Sequence, residues 1–162
     1  MQENPEGTYV ESSLAGKIDG FLFALTRFGR DPSRYSASAE LHQLQGDDIA
    51  TEYVAHLEKL EIEERVTISI HDFSPENSGY SFLEETLSTF LQQAMARPDG
   101  AEPDLDAARL ATWYVVEYIT WMSDSLEQIY SARLSINGRM SDCIFIACNQ
   151  QFLVIRMHTG KA

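Results

Sequence analysis

The chain has 162 residues, 44% of them apolar, and carries 25 acidic residues against 12 basic ones, a net charge of −13. That length and apolar content fit one domain with a buried core, and they exclude a disordered chain. The charge argues against direct binding to nucleic acid or an anionic membrane, because phosphates attract basic surfaces and repel this one.

The acidity is uneven. Residues 41–120 hold 16 acids and 4 bases, while the flanking segments are nearly balanced. A basic protein partner is therefore expected. Solubility alone also favours such a charge, and many bacterial cytosolic proteins share it. The opening "MQENPEGTYVESS" has neither a basic nor an apolar region, so no secretory signal is expected. No apolar run approaches the roughly 20 residues that span a bilayer. Two cysteines are too few for a disulfide scaffold. Together these features predict a cytoplasmic protein with reduced thiols.

Residues 1–12 are expected to be flexible, with one domain over 13–162. "KIDGFLFALTRF" and "RYSASAELHQL" flank the turn formers of "GRDPS". In the second, Tyr35, Ala37, Ala39 and Leu41 alternate with polar residues, as in a half-buried strand. In the first, Phe21, Phe23 and Leu25 share one parity, so the pair is expected to form a β-hairpin. The competing reading is a helix over 13–28, since Leu14, Ile18, Phe21, Leu22 and Leu25 also make a helical stripe.

"GDDIATEYVAHLEKL" predicts a helix capped by Asp47, with Ile49, Tyr53, Val54, Leu57 and Leu60 inward. "EERVTISIHDF" alternates as a strand. "YSFLEETLSTFLQQAMAR" predicts a helix with Leu83, Leu87, Phe90, Leu91 and Ala94 or Met95 inward, ended by Pro98, Gly100 and Pro103. A long helix is expected from Asp104 to Tyr130, apolar on most sides through "LATWYVVEYITWM". Asn137-Gly138 reads as a helix C-cap or a hairpin turn. "CIFIACNQQFLVIRMH" then reads as two strands around Asn149-Gln150, apolar on both faces and so covered on two sides. The fold class this implies is α+β: a largely antiparallel sheet of four to five strands, with an N-terminal and a C-terminal hairpin, packed with three helices.

Contiguous catalytic signatures are absent from the sequence, and no cofactor is expected. Cys143 and Cys148 are five apart, which in a straight strand sets them on opposite faces about 16 Å apart at ~3.3 Å per residue. They neither pair with each other nor share a metal there, and no further ligand set matches a zinc site. His71 and Asp72, where a strand meets the loop "FSPENS", are the first catalytic candidates. Their bland role is strand polarity and loop hydrogen bonding. Glu117, alone in an apolar helix, is the second; exposure or ion pairing is its ordinary explanation.

Two groups suit partner binding. Tyr114, Tyr118 and Trp121 share one helical face, with Trp113 beside it on the line of Glu117. They are ordinary core residues unless an edge of the stripe is exposed, in which case it becomes the leading interface patch. The acids Glu58, Glu61, Glu63 and Glu64, with Asp99, Glu102, Asp104 and Asp106, form the other group. Asp104 and Asp106 suit a helix N-terminus, whereas acids at the end of a helix oppose its dipole.

These features favour a small acidic protein-binding module, either monomer or homodimer. The leading expectation is an inhibitor or immunity-type protein that covers the active surface of a basic toxin, such as a nuclease. The alternatives are a dimeric secretion chaperone or adaptor that holds an apolar segment, and a small enzyme using the His71–Asp72 loop and Glu117.

Overall fold

The computed structural model of the chain describes residues 5–29, 31–43, 55, 62–72, 78–95, 105–122, 128–136, 139–148 and 151–160. Their order is α1 (Pro5–Arg27), β1 (Tyr35–Gln43), β2 (Ile62–Asp72), α2 (Ser78–Ala94), α3 (Leu105–Met122), β3 (Gln128–Ile136), β4 (Arg139–Cys148) and β5 (Gln151–Thr159). The strands form one antiparallel sheet in the order β1-β5-β4-β3-β2. The class is α+β, as composition and patterning imply. No helix among the described residues is long and apolar enough to cross a membrane.

The N-terminal hairpin is not formed. Residues 5–27 are one helix, which starts inside the segment expected to be flexible. The reason is the length of the competing patterns. The strand-like alternation of Phe21, Phe23 and Leu25 lasts five residues, whereas the helical stripe runs three turns. Leu14, Ala15, Ile18 and Leu22 are buried along it, with Phe21 and Leu25 packed at its margin. Phe23 is left exposed by that choice.

The turn formers of "GRDPS" do act, but between a helix and a strand. The Asp31 carboxylate accepts from the backbone N–H and the hydroxyl of Ser33, at 3.1 and 2.6 Å. The Asp31 carbonyl accepts from Arg34 and Tyr35 N–H, and the chain enters β1. At the end of α1, Gly29 passes so close to α2 that a Cβ there would collide with the Ala94 carbonyl oxygen and lie 2.7 Å from that of Leu25. Only glycine fits this approach.

β1 is an edge strand, with Tyr35, Ala37 and Ala39 buried between half-exposed serines. A carboxylate of α1 reaches it: Asp19 Oδ1 accepts from Ala39 N–H at 2.8 Å. That bond satisfies one backbone donor on an otherwise open edge and ties helix to sheet.

α1, α2 and α3 share one core with one face of the sheet. Leu83, Leu87 and Leu91 of α2 and Val115 and Ile119 of α3 meet Ile144, Ile146, Leu153 and Ile155. The α2 stripe is the one its sequence implies, with Ala94 fully buried and Met95 partly so. The second sheet face is buried as well, through Ser141, Cys143, Phe145, Phe152 and Val154. Phe145 and Phe152 stack at 4.1 Å, and His42 of β1 stacks on Phe152 at 5.1 Å.

The long helix of 104–130 is shorter than expected. It stops at Met122, and 128–136 are β3, paired with both β2 and β4. "QIYSARLSI" alternates, and the sheet supplies two neighbours, so pairing outweighs continuation of the helix. β3 and β4 face each other from Ile129↔Ile146 to Ile136↔Arg139, a register that fits the hairpin alternative for the two residues between. β4 and β5 pair down to Cys148↔Gln151, as a C-terminal hairpin requires. The helix expected over 46–60, apart from residue 55, which is helical, and the turn residues Asn137, Gly138, Asn149 and Gln150, lie outside the described residues.

Two outcomes follow. Gly29→Ala is expected to lower unfolding stability by about 1–3 kcal/mol, because two packed backbones have to separate; urea denaturation reads this directly. Asp19→Ala should cost about 1–3 kcal/mol through the unmet edge donor, while Asp19→Asn, which keeps an acceptor, should cost less. Equal losses for the two Asp19 variants would contradict the hydrogen-bond account.

Candidate functional site

Helical geometry divides α3 into two faces. Ala108, Ala111, Thr112, Val115, Val116, Ile119 and Met122 are buried. The buried hydroxyl of Thr112 donates to the Ala108 carbonyl at 2.8 Å, so it brings no unmet polar group into the core. The other face is mixed, with Asp106 and Arg109 exposed beside large apolar side chains. Leu110 is 66% exposed, Trp113 52% and Trp121 59%. With Leu105 and Tyr114, which are also exposed, five large apolar or aromatic side chains of α3 stand in the open, and they form a candidate interface patch.

Tyr114, Tyr118 and Trp121 come together as the sequence implies. Tyr114 packs on Phe21 of α1 with ring centroids 4.6 Å apart. Tyr114 and Tyr118 meet edge to face at 4.6 Å, and Tyr118 and Trp121 at 5.3 Å. The two phenol oxygens are 2.8 Å apart, and Lys17 Nζ lies 5.7 Å from the Tyr118 ring centroid. These contacts make a fixed aromatic ladder along the α1–α3 seam. Only its Tyr114 and Trp121 members are openly exposed, with Tyr118 half-buried. The Tyr114 hydroxyl is held above its ordinary pKa, first by the hydrogen bond to Tyr118, then by desolvation and by the charge that Tyr118 would carry.

On the other side of α3 a groove of about 660 Å³ opens against α2. Ser81, Glu84, Glu85 and Ser88 form the α2 wall, and Arg109, Leu110, Thr112 and Trp113 the α3 wall. The α2 positions are spaced i, i+3, i+4, i+7, which puts them on one face. A second cleft of about 490 Å³ lies between α2 and the sheet, floored by Phe82, Phe90 and Met140. The Arg133–Asp142 pair sits on its rim, with contacts of 2.8 and 3.3 Å.

The sequence did not single out this groove. Leu110 and Trp113 stand i, i+3 on the outer face and fall in line with Glu117 and Trp121. That spacing was legible, but exposure was not. Of the acidic candidates, Asp106 lies in the first turn of α3 and is exposed. Glu63 and Glu64 lie at the start of β2, where the pairing with β3 slips. Glu58, Glu61, Asp99, Glu102 and Asp104 lie outside the described residues. Glu84 and Glu85 of the groove belong to neither acidic group named from the sequence.

His71 and Asp72 end β2 opposite Ile129 and Gln128, and the loop after them lies outside the described residues. Glu117 is half-buried and lines neither the groove nor the cleft. No group of three or more His, Cys, Asp or Glu among the described residues could hold a metal ion. Cys143 is 2% exposed, its thiol pKa is raised by burial, and its sulfur lies 3.7 Å from the Ser141 hydroxyl. That is a packed core cysteine.

Comparison of the chain with protein-family models, with curated proteins and with solved structures found no match.

Tyr118→Phe removes the largest cause of the Tyr114 shift, so it should return Tyr114 towards its ordinary titration range, read by ultraviolet absorbance on alkaline titration. The raised pKa means that the folded state holds this proton more tightly. The associated stability is complete below the ordinary tyrosine pKa of about 10 and is lost as pH rises through the folded value. In a Cys148→Ser variant, Cys143 should react with a thiol reagent at pH 8 only as fast as the sheet opens. A rate near that of a free thiol would show the site to be open.

Proposed function

We propose that this chain is a protein-binding module that docks a basic partner, acting as an inhibitor or immunity-type protein in the cytoplasm. The observation that carries the reading is the exposed row Leu110, Trp113 and Trp121 on α3, beside the Glu84–Glu85 wall of α2. Large aromatics anchor interfaces by burying area with few rotors to freeze, and tryptophan is among the commonest hot-spot residues. The net charge of −13 supplies long-range attraction, which raises the association rate with a cationic surface and weakens in salt. A toxin such as a nuclease, which presents a basic cleft to phosphates, has the complementary chemistry.

The exposed apolar row also supports a second reading, an adaptor that holds an apolar segment of its client. The two differ in what salt does. An adaptor complex rests on apolar burial and withstands high salt, whereas docking on a basic surface does not.

The experiment is capture of partners by the tagged protein, with washes at low and high salt, repeated with Trp113→Ala, Trp121→Ala and Glu84→Lys/Glu85→Lys. A single basic protein should bind the parent at low salt, with affinity reduced about 30-fold or more by loss of a tryptophan anchor. Binding that survives high salt and responds only to the tryptophan variants would favour the adaptor. A partner indifferent to all three variants would overturn the surface assigned here.

A further inference from the structure

The α2–α3 groove joins two kinds of wall. Glu84 and Glu85 stand on one side, and the exposed Trp113 indole and Leu110 on the other. Neither carboxylate forms an ion pair among the described residues. The Thr112 hydroxyl is already committed to the Ala108 carbonyl, so it does not compete for the carboxylates. Arg109 supplies one positive charge on the α3 wall, which leaves the groove with a net charge of −1.

We propose that this groove is the anchor site for an arginine side chain of the partner. The inference rests on the docking reading above and names what that surface grips. A guanidinium is flat, so it stacks on an indole while its N–H fork donates to carboxylates. A lysine ammonium has no flat face to stack and is more strongly hydrated. A groove of about 660 Å³ exceeds the size of one side chain, so the residues flanking the arginine also find room against Leu110. Arg109 limits how much positive charge can enter, which selects one arginine over a polybasic run.

The probe is N-acetyl-arginine methylamide, titrated into the full chain and followed by the indole N–H signals in NMR. The chain has two tryptophans, Trp113 in the groove and Trp121 outside it, so Trp121 serves as a control within the same molecule. The expected result is a saturable shift of the Trp113 signal with a millimolar dissociation constant and little movement of Trp121. Glu84→Gln/Glu85→Gln should weaken that binding about fivefold or more, as should raised salt. Both glutamates are exposed, so an unchanged urea midpoint is expected to show that the variant is folded.

A response that does not saturate, a lysine probe that binds as well, or an unaltered affinity in the glutamine variant would overturn the anchor. Failure here with partner capture still sensitive to Trp113→Ala would remove the arginine assignment and leave the docking surface standing. Capture indifferent to Trp113→Ala and to the Glu84→Lys/Glu85→Lys pair would remove both.

Discussion

The fold depends on burying the β4–β5 hairpin from both sides. Residues 151–155 of β5 are buried without interruption, and Cys143 to Ile146 of β4 likewise. A strand with no polar face cannot lie at a sheet edge or face water. Both strands therefore sit inside the sheet, flanked by β1 on one side and by β3 and β2 on the other. The N-terminal strand has to travel to the β5 edge to complete that arrangement, and α1 accompanies it. Asp19 holds β1 to α1 through its backbone, and Tyr35, Ala37 and Ala39 present small or flat side chains to the helix layer. Small residues there let α1 approach the sheet closely.

The helix layer then decides what the surface looks like. α3 needs only one stripe for the core, because α1 and α2 occupy its flanks and the sheet lies beneath. Its remaining apolar side chains have nowhere inside to go. Tyr114 and Tyr118 are accommodated in the α1 seam, where ring stacking and the shared hydroxyl bond offset their partial exposure. Leu110, Trp113 and Trp121 are not accommodated, and a monomer gains nothing from leaving them in water. That is the physical basis for assigning the surface to a partner rather than to the core.

Charge and apolar surface act at different ranges in this assignment. For the proposed cationic partner, the diffuse negative field of the chain would act over about a Debye length, some 8 Å at physiological salt, and would set how fast encounters occur. The aromatic row would act only at contact and would set how long they last. Glu84 and Glu85 belong to both regimes, since they contribute to the field and also line the groove.

Much of the helix and strand content was legible from residue spacing. The α2 stripe, the alternation of β1 and the two-faced burial of β4 and β5 all follow from periodicities of 3.6 and 2. The segment 13–28 was ambiguous because its apolar residues satisfy both periods, and contact with α2, α3 and β1 chose the helix. The helix was expected to run past Met122 because nothing local in "QIYSARLSI" shows that both its edges are paired; β4, next in the chain, and β2, some 60 residues earlier, supply the two partners. The site was legible in part. Spacing placed Tyr114, Tyr118 and Trp121 on one face, but Glu84 and Trp113 are 29 positions apart, and only the packing of α2 on α3 brings them to one groove. The sequence by itself determined the α+β class, the acidity and the apolar faces of individual elements, because those are local properties of residue type and spacing. Which apolar residues remain in water, and which carboxylates stand beside them, was decided by the tertiary structure, because exposure depends on what the neighbouring elements fail to cover.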